Sequence, residues 1–198
     1  MIKFFIVGTS KSLDGPVYYR KERFKIWGSL YFAGVTKKYW KNELDFSTGA
    51  TRAFSIENGF DFYDVIPFIA SSDKNILDKL TFHNKEIASE ISAQLKQKFN
   101  SFNGAIHFNG KTSFYYFTYF YFNSHFEISS FRIHCRNVNK LLKKESITYG
   151  KLNKGVVDEI FNSKLTNVLY LLPNTSSRMS QKTFDEFIWI ESLKEANK

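Results

Sequence analysis

The sequence predicts an α/β fold: a three-layer α/β/α sandwich with a central, mainly parallel four-stranded sheet. Three observations lead there. Four short apolar runs, at residues 2–7, 60–66, 105–108 and 168–172, have the length and composition of strands buried on both faces. Stretches with helical periodicity lie between them. Strands that alternate with helices along a chain form a layered α/β domain with a parallel sheet. The 198 residues suit one such domain spanning 1–198, and 43% hydrophobic residues suffice for its core.

The elements follow in order. After the first strand, Phe24, Trp27, Leu30 and Tyr31 fall on one helical face, and Gly34 is positioned to stop that helix. Residues 37–58 are polar and irregular, and are expected to form a mobile loop or substrate-side flap. Beyond the second strand, Ile87, Ile91, Leu95 and Phe99 are spaced four apart, flanked by Glu86, Glu90 and Lys96, which predicts a second amphipathic helix. The aromatic stretch 114–133 is open between helix and strand. Thr183 and Glu186 have capping-box spacing and begin a last helix through Phe184, Phe187 and Ile188. In open α/β sheets, ligands bind beyond the carboxyl ends of the strands. That rule points to the loops starting near Gly8, Asp64, Asn109 and Pro173.

Composition narrows the function classes. Lys plus Arg number 28 against 19 Asp plus Glu, and the resulting +9 favours a polyanionic partner, nucleic acid first. Cys135 stands alone, so the chain forms no internal disulfide and no four-thiolate iron–sulfur cluster. The amino terminus MIKFFIVG lacks the pattern of a signal peptide, and no apolar stretch has the length of a membrane span. A cytoplasmic, monomeric protein without membrane contact is the expectation. His83, His107, His125 and His134 share no ligand spacing with Cys135, so structural or surface histidines are expected and no metal site. Gly110, Lys111 and Thr112 imitate the end of a phosphate-binding P-loop. Its first glycine would fall on Ala105, inside an expected strand, with Gly104 one residue off, so nucleotide hydrolysis is excluded.

Four local patterns, in order on the four expected strands, resemble one known family. They are GTSKSLDGPVYYRKERFKIWGSLYFAGVT at 8–36, GFDFYDVI at 59–66, FNGKTSF at 108–114 and VLYLLPNTSSRMS at 168–180. The set is similar to the uracil-DNA glycosylase superfamily, nearest in pattern to its mismatch-specific uracil/thymine branch. In the first pattern Gly8 takes the first loop glycine, Tyr19 the aromatic, Ile26 and Trp27 the Phe-Trp pair, and Leu30, Gly34 and Thr36 the end. The resemblance implies a monofunctional DNA glycosylase without metal or organic cofactor. Such an enzyme hydrolyses the base–deoxyribose bond of a flipped-out base and leaves an abasic site.

The resemblance also implies roles. Gly8, Thr9, Tyr19 and Asn109 would line the base pocket, with Tyr19 (or Tyr18, one register away) stacking on the base. Arg178 matches the family's intercalating residue, which fills the gap left by the flipped nucleotide. Lys11, Lys111, Asn174, Ser176 and Ser177 would touch the DNA, where phosphate contacts fix position without reading sequence. Asn109 would alternatively brace its loop by bonding backbone. Ser10 stands where the family has its water-positioning Asn, Lys11 replaces the following Pro, and Lys25 or Phe24 replaces a second Asn.

Cleavage passes through an oxocarbenium-like state that a nearby carboxylate stabilises. Asp14, Glu22, Asp61 and Asp64 are the candidates. Asp64 ends a strand at the expected pocket, whereas alternation sends Asp61 to the opposite face. An ionised carboxylate accepts hydrogen bonds and suits the exocyclic amine of cytosine. With small Ser10 leaving room for a substituent, this favours a cytosine-derived or bulky modified base over plain uracil; an antiphage defence glycosylase specific for bulky modified cytosines is the alternative to a repair enzyme. The missing asparagines favour a third possibility, a catalytically dead member that binds DNA.

Overall fold

The computed structural model describes residues 1–10, 25–36, 48–68, 74–161, 165–175 and 182–198. In chain order the elements are β1 (Phe4–Ser10), α1 (Lys25–Phe32), α2 (Thr48–Glu57), β2 (Phe60–Ile66), α3 (Lys74–His83), α4 (Lys85–Phe99) and β3 (Ala105–Asn109). Then come α5 (Lys111–Phe122), α6 (Ile128–Lys144), β4 (Gly150–Lys151), α7 (Lys154–Phe161), β5 (Leu169–Leu172) and α8 (Lys182–Asn197).

The fold is α/β, and the sheet is mixed with five strands, in the order β2-β1-β3-β5-β4. The four expected strands pair in parallel. The fifth, β4, corrects the four-stranded expectation: it is two residues long and runs antiparallel to β5, with Gly150 opposite Leu171. Its main-chain bonds cover the outer edge of β5, and two residues carry no alternation a sequence pattern can reveal. The expected loop or flap over 37–58 is also corrected in part. Residues 48–57 form helix α2, while 37–47 lie outside the described residues.

Alternation along the strands divides the core between the two faces of the sheet. Phe5, Val7, Ile106, Phe108, Leu169 and Leu171 point toward α3 to α7, into the larger cluster. Phe4, Ile6, Phe60, Ala105, Tyr170 and Leu172 point the other way, onto Trp27 and Leu30 of α1 and Trp189 and Leu193 of α8. Helices thus flank both faces.

Helix α1 ends in a Schellman motif. Gly34 has φ 73°, Val35 N–H donates to Leu30 O at 2.9 Å, and Gly34 N–H donates to Tyr31 O at 2.9 Å. The stop expected at Gly34 is therefore present. Of the expected apolar face, Trp27 and Leu30 are buried, Tyr31 is 40% exposed, and Phe24 lies outside the described residues. Helix α4 buries Ile91, Leu95 and Phe99 as the spacing predicts, with Ile87 half-buried; Asn84 caps it by accepting from Glu86 and Ile87 N–H. Helix α8 begins at Lys182, one residue before the expected cap, and its Phe187 is 59% exposed rather than part of the core.

The ambiguous stretch 114–133 resolves into the end of α5, a turn from Asn123, and the start of α6. From Phe114 to Tyr121, α5 is buried at every position but Tyr115. A helix apolar on all sides is an interior helix, and α5 lies between the sheet and α4, α6 and α7. Its hydroxyls are satisfied internally: Tyr116 donates to Asp78, Thr118 to Phe114 O, and Tyr121 to Asn100.

Candidate functional site

Because β1, β2, β3 and β5 run parallel, their carboxyl ends meet at one edge of the molecule. The register sets Gly8 beside Asp64, Ser10 beside Ile66, and Asn109 beside Leu172. Gly8, Thr9, Asp64, Asn109, Lys111 and Asn174 therefore belong to this edge. Ser10 joins it through its strand backbone. Lys11, Tyr19, Ser176, Ser177 and Arg178 lie outside the described residues.

Asp64 is half-buried near the end of β2. Phe60 and Phe62 on the same strand face α1, and Tyr63 faces α4. Alternation thus sends Asp64 and Asp61 to opposite faces, as the spacing predicts. The Tyr63 hydroxyl is pushed up to about 12 by burial and, secondarily, by the charge of Asp64. Asp61 is buried, which raises its carboxyl; the Phe62 N–H that it accepts at 2.9 Å and the charges of Arg52 and Lys98 pull it back in part.

Asn109 is a brace. Its Oδ1 accepts from Thr175 N–H at 2.9 Å, and its Nδ2 donates to Thr175 Oγ1 at 3.1 Å. Both ends of the amide are engaged by one residue, which ties the loop after β5 to the end of β3. Trp189 holds the same loop from α8, its Nε1 donating to Pro173 O at 2.9 Å. Of the two roles expected for Asn109, bracing backbone is the one its contacts express.

Gly110 makes the turn from β3 into α5. Its φ is 92°, and a Cβ there would lie 3.1 Å from Asn174 Cβ, so the close approach of the two loops requires glycine. Its N–H donates to Leu172 O at 2.9 Å and its carbonyl accepts from Ser113 Oγ at 2.8 Å. The N-cap Gly110 has no side chain to cap α5, and this helix start lies at the strand edge, where N–H groups suit an anion. Lys111 is half-buried, with its Nζ 6.0 Å from the centre of the Tyr149 ring. Tyr149 precedes β4, which sets it at the same edge. Sequence reasoning missed both Tyr149 and Thr175: the short β4 carries no signal, and Thr175 is 66 residues from its partner.

Gly110 and Lys111 do not form a P-loop, since residues 105–109 are strand where that loop would have to be. His107 is a core residue, stacked on Tyr170 at 4.5 Å with its Nε2 3.3 Å from Ser192 O, and burial lowers its pKa to about 4. His134 lies 2.7 Å from Thr118 Oγ1, and burial likewise lowers it to about 4. Burial pushes the Cys135 thiol up to about 11, which makes it a poor nucleophile. Among the described residues no group of three His, Cys, Asp or Glu side chains is arranged to hold a metal ion, and no helix is long and apolar enough to cross a membrane.

The edge thus combines a half-buried carboxylate, a helix start, a lysine beside an aromatic ring, and a loop braced from two sides. A helix start and a lysine beside an aromatic ring suit an anionic group and a planar one. No protein-family model matches the chain, and no curated protein matches it significantly.

Proposed function

We propose that the chain is a monofunctional DNA N-glycosylase acting at the carboxyl edge of its parallel strands. The observation that carries this reading is the meeting at one edge of the segments the resemblance assigns to base and DNA contact: Gly8 beside Asp64, and Asn109 tied to the loop at Thr175. The +9 charge supports a polyanionic substrate.

In this reading the target nucleotide leaves the stack and its base enters the edge. The C1′–N bond breaks with its electron pair going to the base. Asp64 stabilises the cationic sugar, and water held near Ser10 adds to C1′ and gives up its proton to the departing base anion, which leaves as the neutral free base. Set instead against the base, the same carboxylate would accept a hydrogen bond from the exocyclic amine of a cytosine-derived base and disfavour uracil.

A second reading, a DNA-binding protein without catalysis, is favoured by one contact: Thr175 engages the Asn109 amide at both ends, which fixes it as a loop brace. Duplexes carrying uracil, mismatched thymine, hydroxymethylcytosine or glucosylated hydroxymethylcytosine, treated with alkali after incubation, discriminate the two. Strand scission at one modified position, lost in Asp64→Asn, supports excision. Bound but intact DNA throughout the panel supports the second reading.

A further inference from the structure

Helix α6 carries a one-sided charge that the strand-edge site does not use. Its 17 residues, ISSFRIHCRNVNKLLKK, include Arg132, Arg136, Lys140, Lys143 and Lys144 and no acidic residue. All five cations are exposed, while Phe131, Val138, Leu141 and Leu142 are buried. At roughly 100° per residue, the five fall within one arc of about 120°, opposite the buried face. No ion pair among the described residues neutralises any of them.

Such an arrangement works against the helix. Arg132/Arg136, Arg136/Lys140 and Lys140/Lys144 are like-charged pairs four residues apart, and each is destabilising. A face selected only for solubility mixes signs, as α4 does with Glu86 and Glu90 among Lys85, Lys96 and Lys98. Lys143 and Lys144 complement the helix dipole at its last turn, but Arg132, Arg136 and Lys140 lie too far from that end.

The helix also has a direction. Tyr115 donates to Asn139, Thr118 meets His134, and Tyr119 donates to Glu127 O, so α6 runs antiparallel to α5. Since α5 starts at the carboxyl edge of the sheet, the Lys144 end of the stripe approaches that edge and the Arg132 end leads away from it. From Arg132 to Lys144 the stripe is about 18 Å long at 1.5 Å per residue. That is the axial span of about five phosphates on one strand of a duplex.

We propose that the exposed face of α6 is a second contact surface, a track for the phosphodiester backbone of nucleic acid running away from the strand edge. It goes beyond the glycosylase reading, because it is a claim about binding and holds whether or not a base is excised.

The test is fluorescence anisotropy with a labelled, unmodified DNA duplex across about 50 to 200 mM salt, together with vesicles of phosphatidylserine in phosphatidylcholine. The variants are Arg132→Gln/Arg136→Gln/Lys140→Gln/Lys144→Gln and the pair Arg136→Gln/Lys140→Gln, each checked for native helix content by circular dichroism. Each lost phosphate contact lowers the slope of log K against log salt by about 0.9, so the fourfold variant should be shallower by about 2–4 and bind at least ~10-fold more weakly. The pair should show about half the change in slope, and it decides the matter if the fourfold variant does not fold. Native and variant affinities within about twofold at equal slope, no DNA binding by the native chain, or a stripe needed for vesicles but not for DNA would each overturn the track. Excision of a modified base at saturating protein is read separately. A variant that binds weakly but still cleaves separates the track from the strand-edge chemistry, and normal binding without excision points to failure of the latter alone.

Discussion

Replacing Asn109 by alanine removes both bonds that hold the loop after β5. Thr175 is 6% exposed and its N–H is satisfied by Asn109 Oδ1 at 2.9 Å. A buried donor left without an acceptor costs about 1–3 kcal/mol. The second bond, from Asn109 Nδ2 to Thr175 Oγ1, adds less, because truncating the half-buried amide opens room for a water to replace it at the hydroxyl. The expected loss is therefore about 2 kcal/mol, or roughly 4–8 °C in Tm for a domain of this size. Asn109→Asp keeps the acceptor for Thr175 N–H and should cost about half as much. Thermal unfolding followed by circular dichroism at pH 7 measures both. Since the loop leads into the segment proposed to touch DNA, excision by Asn109→Ala should fall further than the loss of folded protein explains. An alanine variant melting within about 1 °C of the native chain would refute the brace.

Three further outcomes are expected. Asp64→Asn should lower single-turnover excision by orders of magnitude with little change in DNA affinity; full activity with unchanged base preference would remove Asp64 from the site and turn attention to Glu22 and Asp14, which lie outside the described residues. Gly110→Ala should destabilise by about 1–3 kcal/mol, because φ 92° with ψ 160° is a region reserved for glycine, and a Tm equal to that of the native chain would contradict that geometry. His107 has its pKa lowered from 6.5 to about 4 in the fold. The unfolded chain therefore binds its proton first, and stability present above pH ~6.5 is lost as pH falls toward ~4, by about 3 kcal/mol in all. His107→Phe, which preserves the stack on Tyr170, should flatten the decline of Tm between pH ~6.5 and ~4.5; an unchanged slope would show that His107 does not titrate there.

The strands and the helices between them differ in how far a sequence exposes them. β1, β2, β3 and β5 are apolar because the sheet is covered on both sides, and that burial is what the runs record. β4 is too short to record anything. Of the α2 side chains described, 52–57, only Phe54 and Ser55 turn inward, and the polar composition of 48–57 made it look like loop. α5 is the opposite case: burial on every side erased the 3.6-residue period that would have identified it.

The candidate site divides in the same way. The strand-edge rule located Gly8, Asp64 and Asn109 from the sequence, because parallel strands fix which ends meet. The Asn109–Thr175 brace and the Lys111–Tyr149 contact are tertiary, made across a crossover, and no local spacing encodes them. The α6 stripe was legible as residues but not as a surface, since the stretch leading into it was ambiguous between helix and strand, and only helical geometry puts the five cations side by side.

The central claim, that the strand edge breaks a base–sugar bond, is tested most directly by mass spectrometry of the small molecules released from modified duplexes. The expected result is free base, released in equal amount to the alkali-labile sites formed, from one substrate of the panel and abolished in Asp64→Asn. Release of nucleotides instead of free base, or no release from any substrate under conditions where the DNA is bound, would contradict it.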